Sequence, residues 1–290
     1  MRIFLTGGSG FIGRHLLPLL EHHEVLCLSH AAPAPGATPT RRTIAGDLNT
    51  PATFAAELEH FKPECCIHLA WSGLPDYSLA NCRANLLAGI NLFEILGRVG
   101  CRRVFAAGTC WEYGKLTGTV TEHLTGRDPN LFAAFKSALQ TIGANLCNSA
   151  GSRLAWGRIF FVYGPGQRAA SLIPYCYHSF KDSAQPQIAN PLGVNDFIYV
   201  TDACAAIRTL VECDITTGIY NIGSGRPTPV WEVVNLVAAQ MGLPAVYREM
   251  AAPATGLWAD TAKTSALGWQ PRLTLQSGIA QTLEALESEQ

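Results

Sequence analysis

Residues 7–13, Gly7-Gly8-Ser9-Gly10-Phe11-Ile12-Gly13, follow directly on a short apolar run, Arg2-Ile3-Phe4-Leu5-Thr6, and lead into an apolar helical stretch that extends to about residue 21. Closely spaced glycines between a strand and a helix allow a tight turn. They also remove the Cβ atoms that would hold a pyrophosphate away from the backbone N–H groups, and the last of them lets helix and strand pack closely. This context turns a weak G-x-G-x-x-G string into a dinucleotide site, with Gly7, Gly10, Phe11, Ile12 and Gly13 as cofactor-binding candidates. The next strand ends Cys27-Leu28-Ser29-His30. NAD sites usually carry a carboxylate there for the ribose 2′-OH. Ser29 and His30 instead suit a 2′-phosphate, with Arg41 or Arg42 reaching it from the following loop, so NADP is the expected cofactor and NAD the alternative.

Strand-like apolar runs at 24–28, 65–70, 103–107 and 154–161 alternate with helical patterns, the longest at 131–148. Their hydrophobicity is continuous rather than alternating, as in strands buried on both faces of a parallel sheet. The predicted fold class is α/β, a Rossmann-type doubly wound parallel sheet with a smaller C-terminal substrate lobe. Residues 1–166 form the dinucleotide-binding domain, with 197–222 returning to it, and 167–196 and 223–290 form the lobe. Residues 31–40, rich in Pro and Ala, read as a surface loop.

Bulk properties narrow the function classes. The chain has 290 residues, 48% of them hydrophobic, and a formal net charge of −1. That is enough for a substantial core. No basic run points to nucleic acid, and no apolar stretch approaches a membrane span. None of the ten cysteines falls in a C-x-x-C array, the chain opens on a strand rather than a signal peptide, and no metal site is expected. A reducing cytoplasm is the expected location.

Eight short strings in fixed order resemble the extended short-chain dehydrogenase/reductase superfamily, in its NAD-dependent epimerase/dehydratase family acting on nucleotide sugars. They are TGGSGFIG (6–13), Gly46-Asp47-Leu48, Ile67-His68-Leu69-Ala70, Asn85 within NCRANLLAGINLFEIL (81–96), RIFFVYGPGQ (158–167), NDFIYVTDACAAI (195–207), YNIGSG (220–225) and ADTAKTSALGWQP (259–271). The resemblance implies that Asp47, with Leu48, meets the adenine ring and that Leu69 and Ala70 flank the cofactor. It implies Thr109, four residues before the Tyr113-Gly114 pair, as the group that hydrogen-bonds the reacting substrate oxygen. It also implies a Tyr-x-x-x-Lys pair on one helix face, the lysine holding the nicotinamide ribose and lowering the tyrosine pKa so that the phenol moves the proton.

Lys136 stands in its place, but Phe132 occupies the tyrosine position, and no other tyrosine lies on that helix. Three readings stay open. One is an engineered replacement that disables the enzyme. Another is a natural enzyme with another proton source, Thr109, Cys110, Glu112 or water. The third is a catalytically inactive dinucleotide-binding sensor.

Family dehydratases carry an Asp-Glu pair after the Thr; here it is Cys110-Trp111, which disfavours dehydration. Glu112, one position late, points away if the segment is extended and returns only if it turns. The G-T-C-x-E-Y-G form is similar to compact bacterial ketoreductases of nucleotide-linked deoxysugars, with an NDP-sugar epimerase as the alternative. Trp71, Cys110, Trp111, Arg168 and Asn195 are the candidates for the nucleotide-sugar substrate, with Arg226 and Arg248 as further cations of the lobe. Asn195 stands where relatives carry an arginine. The resemblance also implies a homodimer through the helices at 81–99 and 132–148.

Overall fold

In the computed structural model, which describes residues 1–30, 40–213, 216–249 and 255–288, twelve strands and nine α-helices alternate along the chain. In order they are β1 (Arg2–Thr6), α1 (Phe11–Leu16), β2 (Glu24–Ser29), β3 (Arg41–Ala45), α2 (Ala55–Phe61), β4 (Cys65–His68), α3 (Leu79–Arg98), β5 (Arg103–Thr109), β6 (Gly118–Val120), α4 (Leu131–Ser149), β7 (Arg153–Ile159), β8 (Phe161–Tyr163), α5 (Leu172–Lys181), β9 (Gly193–Tyr199), α6 (Val200–Glu212), β10 (Gly218–Ile222), β11 (Pro227–Pro229), α7 (Val230–Gln240), β12 (Thr255–Ala259), α8 (Ala262–Ser265) and α9 (Leu275–Ser288). The proposed loop at 31–40 falls almost wholly outside the described residues.

Seven strands form one parallel sheet in the order β10-β7-β5-β4-β1-β2-β3. Consecutive strand residues feed opposite cores. Ile3, Leu5, Val25, Cys27, Cys65 and Ile67 join the side covered by α1 and α6, while Phe4, Leu26, Cys66 and Val104 join the side covered by α2, α3 and α4. This double burial is why the strands read as unbroken apolar runs. The order reverses between β1 and β4, so a crevice opens beyond the carboxyl ends of the strands. Thr6, His68 and Thr109 are the last residues of their strands there.

The structure departs from expectation in three places. The first α-helix ends at Leu16 and continues as a 3₁₀ turn over Leu17–Leu20. Pro18 has no N–H to offer Arg14 O, so the α-helical ladder cannot pass it. The run expected at 154–161 divides: Phe160 N–H still donates to Ile222 O (2.9 Å), but β8 leaves the large sheet and pairs with β9. Of the returning segment 197–222, only β10 enters the large sheet. β9 lies in a second sheet ordered β11-β9-β12-β6. The buried Asp196 carboxylate fixes it there, accepting hydrogen bonds from Ser224 N and Oγ, Gly225 N and Ala259 N. Among the described residues no helix is long and apolar enough to cross a membrane.

Candidate active site

The glycine turn forms one wall of the crevice. Gly10 N–H donates to Gly7 O (3.0 Å), and Gly7 takes a positive φ of 77°. A Cβ on Gly13 would lie 2.2 Å from Gly7 O and 2.7 Å from Gly8 Cα, so no larger residue fits there. Gly7, Gly10, Phe11, Ile12, Gly13, Ser29, His30, Leu48, Leu69 and Ala70 all line a cavity of about 550 Å³. His68 Nδ1 and Thr6 Oγ1 share a hydrogen bond of 2.8 Å, and Thr6 Oγ1 also accepts from Ala70 N–H (3.4 Å). Burial, helped by the nearby Lys136 charge, pushes the His68 imidazole down to about 3. It is a neutral clasp that shapes the Leu69–Ala70 turn.

Two groups of expected residues do not themselves line this cavity. Asp47 stands between Gly46 and Leu48, which do line it; its Oδ1 accepts from Asn49 N (2.9 Å) and Asn49 Nδ2 (3.2 Å). Arg41 and Arg42 open β3, paired with Val25 and Leu26, whereas the crevice lies at the Ser29↔Ala45 end. Three to four residues of strand, roughly 10–13 Å, separate them from it. The Arg42 guanidinium instead covers the Phe61 ring at 5.7 Å.

The neighbouring cavity, about 470 Å³, is lined by Trp71, Thr109, Cys110, Trp111, Phe132 and Lys136. Thr109 sits where β5 ends. The segment beyond it turns as a 3₁₀ helix over Cys110–Tyr113, and Thr109 Oγ1 accepts from Trp111 N–H (3.3 Å). That turn carries Glu112 back into the protein rather than into the cavity. Its carboxylate accepts from Thr109 N (2.8 Å), Trp156 Nε1 (3.0 Å) and Arg158 Nε (3.0 Å). The side chains of Glu112 and Arg158 are 0% and 8% exposed, a buried charge pair that anchors Thr109 from behind. A Cβ on Gly108 would meet Trp156 Nε1 at 2.2 Å and Glu112 Oε1 at 2.5 Å, which explains the glycine before the threonine.

Phe132 and Lys136 lie one turn apart on α4, whose N-terminus is capped by Asn130 Oδ1 accepting from Ala133 N–H (2.9 Å). Lys136 Nζ donates to Ala107 O (2.8 Å) and sits 4.2 Å from the centroid of the Trp71 indole. Burial pushes its ammonium down to about 8, against an upward pull from the Glu112 carboxylate. Arg168 is exposed and reaches both cavities. Asn195 lines neither, and neither do the exposed Arg226 and Arg248.

Sequence reasoning missed Gln167 and Tyr77. Gln167 lines both cavities, and its Nε2 donates to Val162 O (3.0 Å). Its Oε1 and the Trp71 Nε1–H are buried without a partner. Two orphaned polar atoms at the junction of the cavities, beside a turn that admits no side chain, fit a bound dinucleotide whose polar groups complete them. Tyr77 follows a Gly73-Leu74-Pro75 stretch that no motif marks, yet its ring lies 5.1 Å from that of Phe132 and 5.6 Å from that of Trp111, centroid to centroid.

A sequence profile describing the NAD-dependent epimerase/dehydratase family matches residues 3–223. The chain is 27% identical over 306 residues to a dTDP-6-deoxy-L-talose 4-dehydrogenase (NAD(P)(+)) of Kitasatospora kifunensis, covering 96% of this chain and 93% of the relative. It is also 27% identical over 309 residues to a GDP-6-deoxy-D-mannose reductase of Pseudomonas aeruginosa, covering 99% and 97%. Among solved structures, MoeE5 in complex with UDP-glucuronic acid and NAD superposes with a TM-score of 0.87 at 27% identity, covering 100% of both chains. A profile match over most of the chain, relatives of equal length and the doubly wound fold agree: this chain belongs to the NAD-dependent epimerase/dehydratase family.

Proposed function

We propose that the protein is an NADP-dependent oxidoreductase that interconverts a keto and a hydroxyl group on a nucleotide-activated deoxyhexose, reduction being the physiological direction. The observation that carries this reading is the chemistry of the cavity beside Thr109: no carboxylate lines it among the described residues. Dehydration needs an acid and a base on neighbouring carbons. A wall of rings that offers hydroxyls and cations but no carboxylate suits hydride transfer with a single proton. The relatives named as 6-deoxytalose dehydrogenases and as a 6-deoxymannose reductase support a deoxyhexose.

The glycine turn would hold the pyrophosphate and Lys136 the nicotinamide ribose. When bound, the reduced nicotinamide supplies a hydride to the carbonyl carbon. Thr109 Oγ orients the carbonyl oxygen and stabilises the charge that gathers on it. Ser29 and His30, at a strand end with no carboxylate, support the 2′-phosphorylated coenzyme over NAD. Phe132 stands where the resemblance implies the proton-donating tyrosine, so turnover is slow for the family. We further propose a cytoplasmic homodimer assembled through α3 and α4, on which Leu79, Leu87 and Leu131 are exposed.

The test is stoichiometry. Incubation with NADPH and dTDP-4-dehydro-6-deoxyglucose should oxidise one coenzyme per sugar reduced, and calorimetry should show tighter binding of NADPH than of NADH. An epimerase, the alternative reading, would convert its sugar with no net change in reduced-nicotinamide absorbance. A sensor would bind coenzyme and turn nothing over, even after Phe132→Tyr.

A further inference from the structure

With Phe132 in the tyrosine position, the groups of the substrate cavity that hold a transferable proton can be compared one by one. Glu112 faces away and is saturated by Thr109, Trp156 and Arg158. Cys110 is buried, and burial pushes its thiol far above the ordinary range. The Thr109 hydroxyl is an alkanol, suited to hydrogen-bond an oxyanion rather than to protonate one. The Lys136 ammonium is bonded to Ala107 O and covered by the Trp71 indole, which itself packs edge-on against Phe132 at 5.1 Å. Tyr77 is left. Its ring rests against both Phe132 and Trp111, it lines the cavity with Thr109, and its hydroxyl has no hydrogen-bond partner among the described residues.

The loop that carries this phenol is held on both sides. Asn85 Oδ1 accepts from Ser72 N–H (2.7 Å), and its Nδ2 donates to Ser72 O (3.1 Å). Asn81 Nδ2 donates to Ser72 O (3.0 Å) and Asp76 O (2.7 Å). The Asp76 carboxylate accepts from Ser78 N (2.8 Å) and Ser78 Oγ (3.1 Å), and Ser78 Oγ caps α3 by accepting from Asn81 N–H (3.3 Å). Both neighbours of Tyr77 are thereby fixed, and the ring is positioned before any ligand arrives.

We propose that Tyr77 is the proton donor of this chain, a phenol delivered from the loop before α3 to the region that the tyrosine of α4 serves in relatives. The assignment rests on the oxidoreductase reading above. As the new C–H bond forms, the π-electron pair of the carbonyl moves to its oxygen. That oxygen takes the proton of Tyr77 Oη, the phenolic O–H bond breaks, and solvent reprotonates the phenolate through the cavity mouth. One hydride from the reduced coenzyme and one proton ultimately from solvent balance the alcohol formed.

Four proteins test this: wild type, Tyr77→Phe, Phe132→Tyr and the double variant. Each is assayed with dTDP-4-dehydro-6-deoxyglucose and NADPH, and in reverse with dTDP-6-deoxy-L-talose and GDP-6-deoxy-D-talose and NADP⁺. NADPH affinity is measured by calorimetry alongside. Expected are slow wild-type turnover, a kcat about 100-fold lower in Tyr77→Phe, NADPH affinity unchanged within about twofold, and recovery when Phe132→Tyr is added to Tyr77→Phe. A ring needed only for packing would not be rescued by a hydroxyl placed on its neighbour. Tyr77→Phe within threefold of wild type, or no rescue in the double variant, overturns the assignment. Turnover by Phe132→Tyr but not by wild type overturns it while the oxidoreductase reading stands. Four inert proteins that still bind NADPH remove both.

Discussion

The coenzyme half of the crevice is walled by backbone and small residues, Gly7, Gly10, Gly13 and Ala70, whereas the substrate half is walled by the rings of Trp71, Tyr77, Trp111 and Phe132. The first half is built on the stretch at 6–14, joined by the ends of β2 and β4, the turn at 46–48 and residues 166–171. The second gathers side chains from the loop after β4, the turn after β5 and the start of α4. A site made of backbone recognises what every substrate pair shares, the pyrophosphate. A site made of side chains can be rebuilt residue by residue, and Phe132 is the position at which the proposed function expects such a rebuilding. Lys136 and Trp71 sit where the halves meet.

Separate substitutions should break one half and spare the other. The largest effect is expected from Glu112→Gln, which leaves the buried Arg158 cation without its counter-charge and should cost roughly 3–5 kcal/mol in urea unfolding. At temperatures where the variant stays folded, turnover should fall further than NADPH affinity, because Glu112 holds Thr109 directly and reaches the coenzyme only through its pull on the Lys136 ammonium. Equal losses of both would erase the distinction between the halves. Gly13→Ala is the converse. Its Cβ meets backbone atoms that cannot give way, and strain of about 1–3 kcal/mol should weaken NADPH binding roughly ten- to hundredfold. Affinity for dTDP, a probe of the substrate half, should be retained in the same calorimetric series.

Lys136→Met probes the junction. Burial lowers this lysine from an ordinary 10.5 to about 8. As pH rises from about 8 toward 10.5 the folded protein sheds the proton before the unfolded chain does, so the group's penalty is relieved and stability climbs with pH. The methionine variant should lose that climb and melt higher at pH 7, since a buried ammonium is replaced by an apolar chain of similar length. Its coenzyme affinity should drop and become insensitive to pH, whereas wild-type affinity should weaken as pH passes about 8. The smallest effect is expected for the exposed His30: His30→Ala should narrow the preference for NADPH over NADH roughly two- to fivefold.

Much of the fold was legible because its signals are local or periodic. Glycines 7, 10 and 13 mark a turn whatever surrounds them, and strands buried on both faces announce a parallel sheet. The departures come from competition that a linear pattern does not register. Pro18 interrupts a helix that its apolar neighbours favour. β8 and β9 pair with each other rather than with the large sheet, a choice made by Asp196 and the loop it binds. Glu112 reads as a misplaced acid until the 3₁₀ turn brings Trp156 and Arg158 against it. Tyr77 was invisible because its meaning is its contact with Phe132, formed by two loops and a helix with no shared spacing.

On the proposed function, a hydride crosses from a coenzyme on the glycine turn to a sugar carbon held beside Thr109. NADPH carrying deuterium at the transferable position of C4, incubated with dTDP-4-dehydro-6-deoxyglucose and followed by mass spectrometry, tests it directly. The expected result is deuterium on the product sugar in step with the NADP⁺ formed. Label that stays on the coenzyme, or sugar converted with no NADP⁺ accumulating, would contradict it.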